Sequence, residues 1–152
     1  MKNGTTIERI ETHAKKIASG SERVKPGQEV CFTEAATIDD TIRQGDLYLT
    51  IVAAVPAGYV KIEKLKASDK QLVPGNTVGS RHCLDSLAGV TLYRPEQWSE
   101  ESLAGPCLVL AKQRTIEHPT HGAVFIPAGF TVLCRYQREF DAEQKRERRA
   151  RD

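Results

Sequence analysis

Ala123-Val124-Phe125-Ile126-Pro127-Ala128-Gly129-Phe130-Thr131-Val132-Leu133-Cys134-Arg135-Tyr136 sets two runs of β-branched, aromatic and aliphatic residues on either side of Pro-Ala-Gly. Proline and glycine break the run where a chain must reverse, and neither flank shows helical periodicity. The stretch therefore predicts two strands joined by a tight turn. A similar arrangement stands earlier in the chain, where Ala54-Val55-Pro56-Ala57-Gly58-Tyr59-Val60 carries an apolar strand into Pro-Ala-Gly and an aromatic residue. Proline suits the second position of a type I turn and glycine the fourth.

Working outward, further strands are expected at Glu29-Val30-Cys31-Phe32-Thr33, at Leu47-Tyr48-Leu49-Thr50-Ile51-Val52 after a Gln44-Gly45-Asp46 turn, and over the alternating Tyr59–Leu65 stretch. Val90–Tyr93, Cys107–Leu110 and Arg114–Glu117 complete the set. Many short strands separated by turn residues define an all-β protein, a single barrel or sandwich of about eight to ten strands. Pro95 to Ala104 is expected to form one short helix anchored by Trp98 and Leu103.

The ends read differently. Thr5 and Glu8 have capping-box spacing, and Ile7, Ile10, Ala14 and Ile17 then fall on one helical face that Gly20 can terminate. This predicts an N-terminal amphipathic helix over residues 1–20, too narrow in its apolar stripe to make a core and so suited to a partner surface. The β-rich domain runs over 29–137. Residues 138–152 are almost all charged, acidic early and basic late, as in a solvated C-terminal helix.

Composition excludes some classes. With 22 basic and 20 acidic residues the formal net charge is +2, which argues against a dedicated nucleic-acid binder. Apolar residues at 39% and charged residues at 28% are too balanced for a disordered chain. Cys31, Cys83, Cys107 and Cys134 form no Cys-x-x-Cys pair, and most sit in strand-like runs where a thiol packs as a small hydrophobe. The chain opens without a signal peptide and has no apolar run long enough to span a membrane, so a cytoplasmic setting with reduced thiols is expected.

The residues with most chemistry are histidines. His118-Pro119-Thr120-His121-Gly122 fits a hairpin loop whose glycine takes the left-handed conformation, with both imidazoles able to reach a common point. His82 closes the segment Gly75-Asn76-Thr77-Val78-Gly79-Ser80-Arg81-His82. Were these brought together, His82, His118 and His121 could hold Zn²⁺, Fe²⁺ or Mn²⁺ with an open position for water. In the same segment Asn76, Thr77, Ser80 and Arg81 could cradle a phosphate or carboxylate. Cys83 beside His82 would point to the opposite face of a strand, which disfavours activation of the thiol.

The segments His118–Gly122, Ile126–Val132 and Tyr136-Gln137-Arg138-Glu139-Phe140-Asp141, together with Gln44-Gly45-Asp46, resemble an uncharacterised family of small bacterial and phage proteins. Such proteins end in His-x-x-His, Pro-x-Gly and Gln-Arg-Glu-Tyr, and some carry Gly-His-x-His where this chain has Gly79-Ser80-Arg81-His82. Ser80 thus replaces one histidine. The resemblance implies a β-rich fold and points to His82, His118 and His121. The order of motifs is also loosely similar to cupin barrels. The leading expectation is a non-catalytic binding or assembly module with a protein partner or a second copy. A metal-dependent protein comes next, and nucleic-acid binding through Arg81, Arg135 and the tail third.

Overall fold

The computed structural model describes residues 29–99, 102–141 and 146–149. In chain order the strands are β1 (Glu29–Cys31), β2 (Thr41–Gln44), β3 (Leu47–Val52), β4 (Tyr59–Lys61), β5 (Cys83–Leu84), β6 (Val90–Pro95), β7 (Ala104–Leu110), β8 (Arg114–His118), β9 (Gly122–Ile126), β10 (Thr131–Tyr136), β11 (Arg138–Asp141) and β12 (Arg146–Arg149). Short 3₁₀ turns at Ala67–Lys70 and Val78–Ser80 interrupt the long connection between β4 and β5.

Strand alternation sorts the sequence into faces. One sheet has the order β2-β3-β10-β7-β6-β4, and the other β1-β9-β8-β5, with β1 parallel to β9. Leu47, Leu49 and Ile51 on β3 lie opposite Tyr136, Cys134 and Val132 on β10, and all six are buried. Ile116 of β8 and Val124 and Ile126 of β9 meet them from the second sheet in one continuous core that also holds Phe32, Leu72 and Leu84. Each such aliphatic side chain contributes about 1.5–3 kcal/mol on burial. The result is sandwich-like. The barrel alternative does not form, because β2 and β4 end the larger sheet without pairing to the smaller one.

Three local expectations are corrected. Residues 95–104 form no helix among the described positions: β6 continues through Pro95 and β7 already begins at Ala104. The two Pro-Ala-Gly turns place Ala57-Gly58 and Ala128-Gly129 at their centres, with φ of 83° and 95° at the glycines. A left-handed residue is needed there, so glycine is not the fourth residue of a type I turn. The charged tail is not a helix where it is described. Arg138–Asp141 and Arg146–Arg149 pair antiparallel, a register that sets Glu139 opposite Arg148 and Asp141 opposite Arg146. A sequence of mixed charge suits such a register as well as it suits helical i,i+4 spacing. The N-terminal helix, with Ile7, Ile10, Ala14 and Ile17, lies outside the described residues.

Candidate functional site

The turn between β2 and β3 brings the histidines together. Gly45 has φ +59°, and a Cβ there would stand 2.5 Å from Cδ2 of His121, so only glycine lets the imidazole lie against the backbone. The hairpin between β8 and β9 closes with His118 opposite Gly122, and Gly122 is left-handed at φ 77°, as the sequence predicts. Ring centroids are 4.3 Å apart for His118 and His121, 4.4 Å for His82 and His118, and 6.3 Å for His82 and His121. His82, remote in sequence, thus joins the two hairpin histidines in one cluster.

The ring nitrogens of His82 and His118 are committed to protein partners. Gln44, fully buried, donates its amide hydrogens to the carbonyls of Ile116 (3.0 Å) and Gly122 (2.8 Å). Its Oε1 therefore faces Nδ1 of His82 at 2.8 Å and can only accept, which places a proton on that nitrogen. Nε2 of the same ring lies 3.1 Å from Oδ1 of Asp46. His118 is fixed in the other sense. Its Nδ1 accepts from the backbone N–H groups of Thr120 and His121, both at 3.1 Å, so Nε2 carries the hydrogen and donates to the carbonyl of Gly79 at 3.2 Å. His82 is wholly buried and His118 nearly so.

These bonds decide the chemistry available. A metal needs imidazole lone pairs, and both nitrogens of His82 and of His118 already have protein partners. Among the described residues no three His, Cys, Asp or Glu side chains are disposed to hold a metal ion. The residues that sequence reasoning misses are Gln44 and Asp46, the two partners of His82. Their signal is the Gln-Gly-Asp triplet, which on its own marks only a turn.

The Asn76–Arg81 segment is built around its own small side chains. Oγ1 of Thr77 and Oγ of Ser80 are hydrogen-bonded at 2.9 Å, and Ser80 is buried beneath Gly75, whose missing Cβ would stand 2.5 Å from that hydroxyl. Asn76 and Arg81 are exposed. Burial raises the Cys83 thiol above its ordinary value, which disfavours a thiolate nucleophile beside His82.

A concavity lies beside Leu72, whose N–H bonds the carbonyl of His82 at 2.8 Å. It is a cleft of about 420 Å³ between the 68–74 segment and the ends of β6, β7 and β10. Arg94 donates to Asp69 at 2.8 Å on its wall, and the backbone N–H of Lys66 bonds the same carboxylate at 2.7 Å. That N–H, helped by Arg94, holds Asp69 below the usual carboxylate range. Tyr136 donates to the carbonyl of Leu72 at 2.9 Å, and Trp98 stands 40% exposed at the rim.

Fold and cluster together define a two-sheet β-domain pinned at one end by a buried amide–imidazole–carboxylate network. A family model described as a domain of unknown function, DUF8820, matches residues 43–136, more than half of the 152-residue chain, and the chain belongs to that family. The matched span contains Gln44, Asp46, all three clustered histidines and the whole lining of the cleft. No curated protein and no solved structure matches the chain. Among the described residues no helix is long and apolar enough to cross a membrane.

Proposed function

We propose that the protein is a non-catalytic binding module whose ligand site is the cleft between Arg94, Asp69, Trp98 and Tyr136. The observation that carries this reading is the combination of volume and lining. A concavity of about 420 Å³ falls in the range that encloses small organic ligands. Proline and aromatic surfaces supply its walls, and one ion pair supplies a donor and an acceptor.

The same lining speaks against catalysis. Asp69 is held ionised by two hydrogen bonds, so it is a weak base. Tyr136 is tied to Leu72, and among the described residues no nucleophile–base pair lines the cleft. The histidine cluster fits a structural pin joining the β2–β3 turn to the β8–β9 hairpin.

Trp98 is the one tryptophan of the chain and reports on this site directly. Titration with a library of small planar compounds carrying a hydrogen-bond acceptor is expected to shift Trp98 emission and raise the melting temperature. A hit at a hundred times its Kd adds about 2.7 kcal/mol. Arg94→Ala should abolish both responses. A library without hits, or hits indifferent to Arg94→Ala, overturns the reading. The convergence of the three imidazoles supports metal binding as a second reading, which requires Gln44 and Asp46 to release His82. Stoichiometric transition metal in the purified protein, lost in His121→Ala, would favour it.

A further inference from the structure

The larger sheet covers the core with one face and turns the other outward. Register assigns the positions of that face: Thr41 and Arg43 on β2, Tyr48, Thr50 and Val52 on β3, and Thr131, Leu133 and Arg135 on β10, of which Leu133 is buried. Beyond them come Cys107, fully buried at the middle of the face, and Val109 on β7, Thr91, Tyr93 and Pro95 on β6, and Tyr59 and Lys61 on β4. None of these positions is Asp or Glu, although the chain as a whole is nearly neutral. The near balance of charge therefore hides a local segregation, with Arg43, Arg135 and Lys61 on this face.

Arg43, Tyr48 and Arg135 stand side by side across β2, β3 and β10, and Lys61 stands opposite Tyr93 on β4 and β6. The guanidinium carbon of Arg43 lies 5.4 Å from the centroid of the Tyr48 ring. Nε of Arg43 donates to the carbonyl of Gly45 at 2.8 Å and Nη2 to Oε1 of Gln137 at 2.6 Å, so the group is held in place. Tyr48 stands directly opposite Arg135, which is exposed. Across the sheet Tyr59 reaches over β6 to donate to the carbonyl of Gly105 on β7 at 2.9 Å. Tyr48, Tyr59 and Tyr93 are each partly exposed.

From this we infer that the outward face of the six-stranded sheet binds single-stranded nucleic acid, bases stacking on Tyr48 and its fellow tyrosines and phosphates meeting Arg135, Arg43 and Lys61. A β-sheet face carrying partly exposed tyrosines beside cations suits unpaired bases, because every base has a π-face and each phosphate a charge. A folded acidic protein would match the charge but leave the rings without stacking partners. A duplex hides its bases from them.

The experiment is fluorescence anisotropy of the full chain with a labelled oligonucleotide of about 12 deoxythymidines, its duplex with deoxyadenosines, and phosphatidylserine-rich vesicles as competitor. The single strand should bind more tightly than the duplex. The slope of log K against log salt should be about −2, from three cations at about 0.7 each. Arg135→Ala should reduce that slope by about 0.7. Tyr48→Ala should weaken binding by about 5- to 100-fold while Tyr48→Phe retains it. Arg135 and Lys61 are exposed, so the double Arg135→Ala, Lys61→Ala variant decides the matter if Tyr48→Ala fails to fold. Absence of binding at about 50 mM salt, where charge contacts are strongest, overturns the proposal. So does binding unchanged in the double variant, including binding lost only when the arginines of 138–152 are replaced. Equal displacement by the vesicles, without dependence on Tyr48, assigns the face to anionic surfaces in general and also overturns it.

Discussion

Oε1 of Gln44 lies 2.8 Å from Nδ1 of His82, and the orientation of that amide is fixed by what its other end does. Both amide hydrogens are spent on the carbonyls of Ile116 and Gly122, one on β8 and one at the start of β9. A single side chain from the larger sheet therefore satisfies two backbone acceptors of the smaller sheet and one donor from the loop before β5.

Replacing Gln44 by Glu keeps the shape and removes both donors. The two carbonyls would then face a carboxyl oxygen in a fully buried site. Each unsatisfied buried group costs about 1–3 kcal/mol, so a loss of about 2–6 kcal/mol is expected in urea unfolding. Tolerance of Gln44→Glu within about 0.5 kcal/mol, the range of an ordinary surface change, would show that the amide does not bridge the sheets.

Two glycines separate backbone strain from ring contact. Gly45 and Gly58 both have positive φ, 59° and 83°, but only Gly45 has a side chain against it. Gly58→Ala meets nothing within 4 Å and should cost only the left-handed penalty of about 1–2 kcal/mol. Gly45→Ala must also displace His121, and its melting temperature should fall further than that of Gly58→Ala by about 2–4 °C for each additional kcal/mol. Equal losses would mean that the His121 ring moves aside freely.

The same residues show how far the sequence can be read. The strands flanking the two Pro-Ala-Gly turns, the Gln-Gly-Asp turn and the His118–Gly122 hairpin are legible because each is a local pattern. The meeting of the three histidines is not a local pattern, since the link between residues 82 and 118 runs through two sheets; spacing alone leaves it open. β2 gives no periodic signal, because its four residues hold one aliphatic side chain, Ile42, and with the strand goes the role of Gln44 as a partner. The tail is ambiguous in principle: mixed charge supports a helix and a hairpin alike. The cleft leaves no motif at all, because its walls come from a loop and three strands separated by some sixty residues.

Acid should weaken the protein partly through Asp69. Its carboxyl titrates lower in the folded state than in the unfolded chain, first because the Lys66 N–H bonds it and then because of Arg94. Its stabilisation is thus complete above the unfolded value near pH 4 and is lost as pH falls through the folded value. Asp69→Asn should cost about 1–2 kcal/mol at pH 7, mostly from the backbone bond, since Arg94 is 42% exposed and its share is screened. Wild type and variant should converge in stability as pH falls through the folded value. A constant gap between the two from pH 7 to pH 2, followed by denaturant midpoints, would show that the carboxylate is not held this way.

Thr33 offers a test in the stabilising direction. Its hydroxyl is buried and, among the described residues, has no hydrogen-bond partner, while the residue itself is only 7% exposed. A buried hydroxyl without a partner costs about 1–3 kcal/mol, and valine has nearly the same shape without the polar atom. Thr33→Val should therefore leave stability unchanged or raise it by about 1 kcal/mol, against the general trend that core substitutions destabilise. Thr33→Ser keeps the hydroxyl and removes a methyl group, and should lose about 1 kcal/mol. If Val destabilises more than Ser in chemical denaturation, the hydroxyl has a partner in solution and the site is satisfied.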